Sequence, residues 1–102
     1  MESQQGTPVG MPRWRSTARS TALKTLKSHD AEKNSSLYET LFHFLINERN
    51  TQRTAQALHI HKNSMLYRLN QIRELVDLDL DNPELRLYLI LSYYNDADNV
   101  QQ

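Results

Sequence analysis

From Leu37 onward, apolar residues recur at intervals of three and four, the spacing of a helix with one face turned to a core. In SLYETLFHFLIN, residues 36–47, Leu37, Leu41, Phe44 and Leu45 share a face. Ser36 and Glu39 there have the spacing of a capping box, which predicts a helix start. Asn50 or Thr51 is placed to cap a third segment, in which Ala55 and Leu58 turn inward and which stops near His59. After His61 the pattern restarts: Met65, Leu69, Ile72 and Val76 fall in one narrow sector of a helix of about four turns. Tyr67, Gln71, Asn63 and Glu74 fall on its opposite side. A last helix is predicted from Asn82 as N-cap, Pro83 at the first turn, where its missing N–H costs nothing, and Glu84 near the positive helix end. Over 83–94 this helix is apolar on more than one face (Leu85, Leu87, Leu89, Ile90, Leu91), so one face is expected to meet a second chain. Upstream, Ala22, Leu23 and Leu26 predict a short helix over 18–27. With no alternating run fit for a strand and no internal repeat, the expected fold is all-α: a small bundle of about five helices.

The chain of 102 residues suffices for one such domain, expected over 18–102. Residues 1–17 hold both glycines and two of the three prolines with almost no periodicity, and read as a disordered linker or tail. The longest wholly apolar run, Leu87 to Leu91, is far short of the roughly 20 residues that span a bilayer, and no apolar signal core begins the chain. A soluble, cytoplasmic protein with no membrane contact is expected. The absence of cysteine removes disulfides and thiolate chemistry.

Formal net charge is zero, yet the charges are sorted. From Arg49 to Arg73 every charge is positive (Arg49, Arg53, Lys62, Arg68, Arg73). From Glu74 to Asp98 seven carboxylates face Arg86 alone.

A short helix, a turn and a longer helix with a polar outer face make a helix-turn-helix, whose second helix lies in the DNA major groove. In that frame Ala55 sits where the helices pack closely, and Leu58 and Ile60 seal the turn from inside. His59 takes the turn position usually filled by glycine, where positive φ is needed and histidine is tolerated. His61 falls where Ser or Thr commonly caps the recognition helix, placed to donate to a backbone phosphate.

Other chemistry fits poorly. His59 and His61 have a ligand spacing, but a metal needs a further ligand, there is no cysteine, and Glu48 and Glu74 are distant in sequence. Asp77, Asp79 and Asp81 resemble part of a calcium loop, yet its glycine position is Asn82 and its final glutamate position is Tyr88. A loop with Leu78 and Leu80 tucked inward is the simpler reading. No phosphate-binding glycine loop exists and no Ser-His-acid grouping is recognisable by spacing. Neither an enzyme nor a metal or cofactor site is expected.

TAQALHIHKNSMLYRLNQIRELVDLDLDNPELRLYLIL, residues 54–91, resembles the C-terminal helix-turn-helix domain of PucR-type bacterial transcription regulators, a family that includes sugar-diacid regulators. Thr54, Ala55, Leu58, Ile60, His61, Lys62, Asn63, Ser64, Met65, Tyr67, Arg68 and Leu69 match its motif. Ile72, Leu75, Pro83, Glu84 and Arg86 match its continuation. Lys62 stands where arginine is more usual, and Gln52-Arg53 replaces Ser-Glu, adding positive charge. The resemblance implies the output domain of a longer regulator whose sensory part lies N-terminal to it.

On this reading the DNA-binding residues are Arg53, His61, Lys62, Asn63, Ser64, Tyr67, Arg68 and Gln71, with the recognition helix at about 62–75. Tyr67 is placed at a base edge or, alternatively, covers a neighbouring helix. Arg68, about seventy degrees from the buried stripe, either clamps a phosphate or pairs internally with Glu39 or Glu48. Asn63 and Ser64 face a base or a phosphate, although Asn63 also suits local capping. Lys62 and Arg53 suit phosphates, and Gln71 lies one turn beyond Tyr67. Leu66 borders the core or touches a thymine methyl. Double-stranded DNA and a second copy of the chain are the expected partners; the alternative is a protein-interaction or dimerisation module working through 83–94.

Overall fold

The structure, a computed structural model, describes residues 19–101 and the side chains of 21–96. The tail expected over 1–17 lies outside the described residues. Five helices follow in order: α1 (Arg19–Lys33), α2 (Leu37–Ile46), α3 (Thr51–Leu58), α4 (Lys62–Leu75) and α5 (Pro83–Gln101). No strand occurs among the described residues, so the all-α bundle is the fold. No described helix is long and apolar enough to cross a membrane.

The apolar stripes read from the sequence meet in one core. Ala22, Leu23 and Leu26 of α1, Leu37, Leu41, Phe44 and Leu45 of α2, and Met65, Leu69 and Ile72 of α4 are buried together with Leu85, Leu89 and Tyr93 of α5. Helix α2 packs against each of the other four. Its own face supplies four of these side chains, each fully buried leucine contributing about 1.5–3 kcal/mol. Helix α3 adds Ala55 and the edge of Leu58 to the apolar core and buries Thr54 beside them, so this eight-residue helix is held by its neighbours. Leu78 and Leu80 pack on the core from the α4–α5 loop, as expected.

The helix ends show how a domain without glycine turns corners. Both glycines of the chain lie at positions 6 and 10. After α1, α2 and α3 the left-handed position is instead held by Asn34 (φ 55°), Glu48 (φ 57°) and His59 (φ 59°), with Arg49 (φ 62°) also left-handed. In each case the next N–H reaches back to a carbonyl five residues earlier: Ser35 to Asp30, Arg49 to Phe44 and Ile60 to Ala55.

Three expectations are corrected. Helix α1 runs on to Lys33 instead of ending near Lys27, because Ser28–Lys33 lacks an apolar stripe but its last turn is tied to α2. Ser36 is the N-cap of α2 but makes no side-chain cap bond, so the capping box does not form. Asp30 caps α2 in its place: its carboxylate accepts from the N–H of Leu37 (2.8 Å) and Tyr38 (2.9 Å) and from Ser35 Oγ (2.6 Å). Helix α5 continues past Tyr94 to Gln101.

Helix α5 is anchored at both ends. Asn82 Oδ1 accepts from the N–H of Glu84 and Leu85, the cap its position predicts. Further along, Tyr93 OH donates to the Tyr38 carbonyl (2.6 Å), Tyr38 OH donates to Asp96 (2.7 Å) and Lys27 Nζ donates to the same Asp96 oxygen (2.8 Å). Burial, and then the Asp96 carboxylate, push the Tyr38 hydroxyl above the usual tyrosine range. Burial does the same for Tyr93, while the hydrogen bonds from Lys27 and Tyr38 hold Asp96 below the usual carboxylate range.

Candidate DNA interface

Helices α3 and α4 are joined by His59, Ile60 and His61, and each does a separate job. His59 in the left-handed region reverses the chain, donating to Ala55 and Gln56 carbonyls. Ile60 packs on the core. His61 is the N-cap of α4 in extended backbone, its Nδ1 accepting from the N–H of Asn63 at 3.0 Å. A backbone N–H can only donate, so Nδ1 carries no proton and the neutral ring bears its proton on Nε2. Both histidine positions match the helix-turn-helix reading of the sequence.

The inner face of α4 (Met65, Leu69, Ile72) is buried; Lys62, Asn63, Ser64 and Tyr67 on its first two turns are exposed, Tyr67 at 65%. His61 is exposed beside them. Arg53 is exposed on the first turn of α3, where its backbone N–H is held by Asn50 Oδ1 at 2.8 Å.

Arg68 does not take the internal ion pair considered for it. It is half-buried and pairs with neither Glu39 nor Glu48; its guanidinium donates to Thr40 Oγ1 at 3.0 Å. Thr40 is fully buried and passes its own proton to the Ser36 carbonyl at 2.6 Å. The arginine is thereby drawn toward the start of α2.

Clefts on two flanks of α4 differ in their linings. One, of about 430 Å³, is lined by Asn63, Ser64, Tyr67, Arg68 and Gln71 on one wall and by Asn34, Ser35, Ser36 and Leu37 on the other. It gathers five of the eight predicted residues, leaving Arg53, His61 and Lys62 outside. The other, of about 670 Å³, is lined by Leu66, Leu69 and Arg73 together with Glu48, Asp77, Asp79 and Asp81. Four carboxylates oppose a polyanion there. Arg49, counted in the basic run, is moreover paired with Asp81 at 2.7 Å. The polar cleft is therefore the flank compatible with DNA.

The turn 34–36 was not legible as part of this surface. Asn34 has no place in the apolar pattern, and its juxtaposition with α4 is tertiary. Nor did spacing reveal that His29, Ser35 and Asp30 meet, His29 Nδ1 lying 3.1 Å from Ser35 Oγ. In this chain of bonds the serine stands in the middle and gives its proton to Asp30, which also receives two backbone N–H groups. A nucleophile needs the histidine in the middle as base, so the group is a helix cap. Among the described residues no cluster of three or more metal-ligating side chains occurs.

Residues 37–94 match the model of the PucR C-terminal helix-turn-helix domain. The chain belongs to that family. The PucR-type domain is 38% identical over 69 residues to the proline-responsive transcriptional activator PutR of Bacillus subtilis, covering 68% of this chain and 17% of that protein. It is 35% identical over 85 residues to the carbohydrate diacid regulator of Escherichia coli, covering 83% of this chain and 22% of the regulator. With the transcriptional activator PmfR of Paenarthrobacter nicotinovorans it shares 48% identity over 44 residues, 43% of this chain and 9% of PmfR. The chain thus spans under a quarter of the length of these relatives. No solved structure gives a significant match.

Proposed function

We propose that this PucR-type domain binds double-stranded DNA sequence-specifically as the output domain of a bacterial transcriptional regulator, acting in the cytoplasm, with α4 in the major groove. The observation that carries the reading is the first two turns of α4, where Lys62, Asn63, Ser64 and Tyr67 stand exposed above a buried stripe fixed by α3 and the His59 turn. Lys62, Arg53 and the Nε2–H of His61 meet phosphates, Asn63, Ser64 and Tyr67 reach base edges, and Gln71 borders them on the cleft side. The relatives are several times longer than this chain, which supports a sensory part elsewhere in the natural protein.

Fluorescence anisotropy with a labelled random-sequence duplex, at low and near-physiological salt, tests the reading. Affinity falls with salt at a slope of about 0.9 per phosphate neutralised, and the slope becomes shallower in Arg53→Ala and Lys62→Ala. Absence of binding at low salt overturns it.

A second role is favoured by α5, where Leu87, Leu91 and Tyr94 stand 54%, 52% and 56% exposed at spacings of four and three. A second copy meeting this stripe would set two recognition helices on half-sites about one helical turn apart. Sedimentation equilibrium of Leu87→Glu and Leu91→Glu tests it. If DNA binding requires this stripe but tolerates loss of Arg53, Lys62 and Arg68, the domain is an interaction module instead.

A further inference from the structure

Three features of the cleft between α4 and the α1–α2 turn bear on a ligand. It contains one cation, Arg68, whose guanidinium is steered toward the turn by Thr40. Ser36, although placed as N-cap, spends no hydroxyl bond on capping, because Asp30 has taken over the N–H groups of Leu37 and Tyr38. Asn34 is held in the left-handed conformation at the rim, exposed, with an amide that can donate. The remaining lining on the α4 side, Asn63, Ser64, Tyr67 and Gln71, is again neutral and rich in hydroxyl and amide donors.

We propose that this cleft is a backbone-phosphate site: the turn 34–36 and Arg68 grip a phosphodiester of the duplex that α4 reads, fixing how deeply the recognition helix sits. The inference rests on the placement of α4 in DNA given above and adds to it a contact from outside the helix-turn-helix segment. The chemistry is that of an anion with several acceptor oxygens, met by one guanidinium and several neutral donors. Asp30, the acidic group that touches the turn, has oxygens that already receive two backbone N–H groups and the Ser35 hydroxyl. A phosphate in this cleft carries no base information, so its loss weakens every sequence alike.

Asn34→Asp is the sharpest probe, since aspartate also tolerates the left-handed conformation and changes only the charge. Asn95→Asp on α5, outside the cleft lining, is the matched charge control. Titrated against a random-sequence duplex near 0.15 M salt, Asn34→Asp is expected to bind about fivefold more weakly, as for the loss of one neutralised phosphate, with a shallower salt slope. Asn95→Asp should bind as the parent does, and Asn34→Lys should bind more tightly than the parent. Far-ultraviolet circular dichroism verifies that each variant is folded. Equal affinity of Asn34→Asp and Asn95→Asp, with Lys62→Ala still weakened, overturns the phosphate site and leaves the α4 reading standing. No binding by the parent chain at low salt overturns both. Competition by inorganic phosphate at millimolar concentration, absent in Asn34→Asp, would show a site that takes a free anion as well as the duplex backbone.

Discussion

The carboxylate of Asp30 lies 2.8 Å from the backbone nitrogen of Leu37, so the last turn of α1 caps the first turn of α2. The bond takes over a task that Ser36 was placed to perform, and joins two helices that each bury part of the core. Asp30→Ala leaves two N–H groups and a hydroxyl without this acceptor. The expected cost is about 1–2 kcal/mol in urea unfolding, with a smaller loss in Asp30→Asn, which keeps one acceptor oxygen. An unchanged midpoint in Asp30→Ala would show that Ser36 can resume the cap.

The left-handed stops are a second source of predictable change. Glu48 and His59 hold positive φ with a Cβ, a conformation that costs about 1–3 kcal/mol and that glycine adopts freely. Part of the gain is lost because glycine is more disordered in the unfolded chain. Glu48→Gly and His59→Gly are each expected to raise stability by about 0.5–1 kcal/mol in thermal or urea unfolding. Because His59 only reverses the chain, His59→Gly should leave DNA affinity unaltered; a loss of affinity would assign His59 a contact of its own.

Stability should decline at both ends of the pH scale through the Lys27–Asp96–Tyr38 group. Asp96 titrates lower in the folded chain than unfolded, so its contribution is present above the unfolded carboxylate range and disappears as pH falls through the folded value. Tyr38 titrates higher when folded, so its contribution is complete below the unfolded tyrosine value of 10.0 and is lost as pH rises beyond it. Asp96 is partly exposed, and the pair with Lys27 is worth under about 1 kcal/mol. Asp96→Asn should flatten the acid limb of a stability–pH curve; an acid limb identical to the parent's would place the dependence in other carboxylates.

Much of this fold was legible because each buried stripe is local. Met65, Leu69 and Ile72 repeat at helical spacing, and His59 and His61 sit at the interruption between the stripes of α3 and α4. The candidate interface was legible to the depth of exposure alone: periodicity sets Tyr67 and Asn63 opposite the core, and the structure exposes them. What could not be read was tertiary. Arg68 is angled to the side by 68–40 pairing, Asp30 replaces Ser36 across a turn, and Arg49 is tied to Asp81 across 32 positions. None of these leaves a trace in spacing, because a polar side chain's partner is chosen by geometry that the apolar pattern establishes only after folding.

Tyr67 and Asn63 should govern which DNA is bound. With an operator selected from a random library, Tyr67→Ala and Asn63→Ala are expected to lose about 1–3 kcal/mol on that operator for each base contact removed, and little on random duplex. Equal losses on both DNAs would reassign these side chains to phosphates.

The cap that His61 forms and the phosphate contact proposed for it can be separated by one substitution. Its Nδ1 caps α4 through the N–H of Asn63, and its Nε2–H is the donor proposed to meet a phosphate. His61→Ala removes both, so it should lose about 1 kcal/mol of stability and also weaken binding. Serine is a strong N-cap with a shorter reach. His61→Ser should therefore recover the stability in urea unfolding while binding random duplex more weakly than the parent in the anisotropy titration. If His61→Ser binds DNA as tightly as the parent at every salt concentration, the imidazole serves only to start the helix, and the phosphate contacts at this end belong to Lys62 and Arg53.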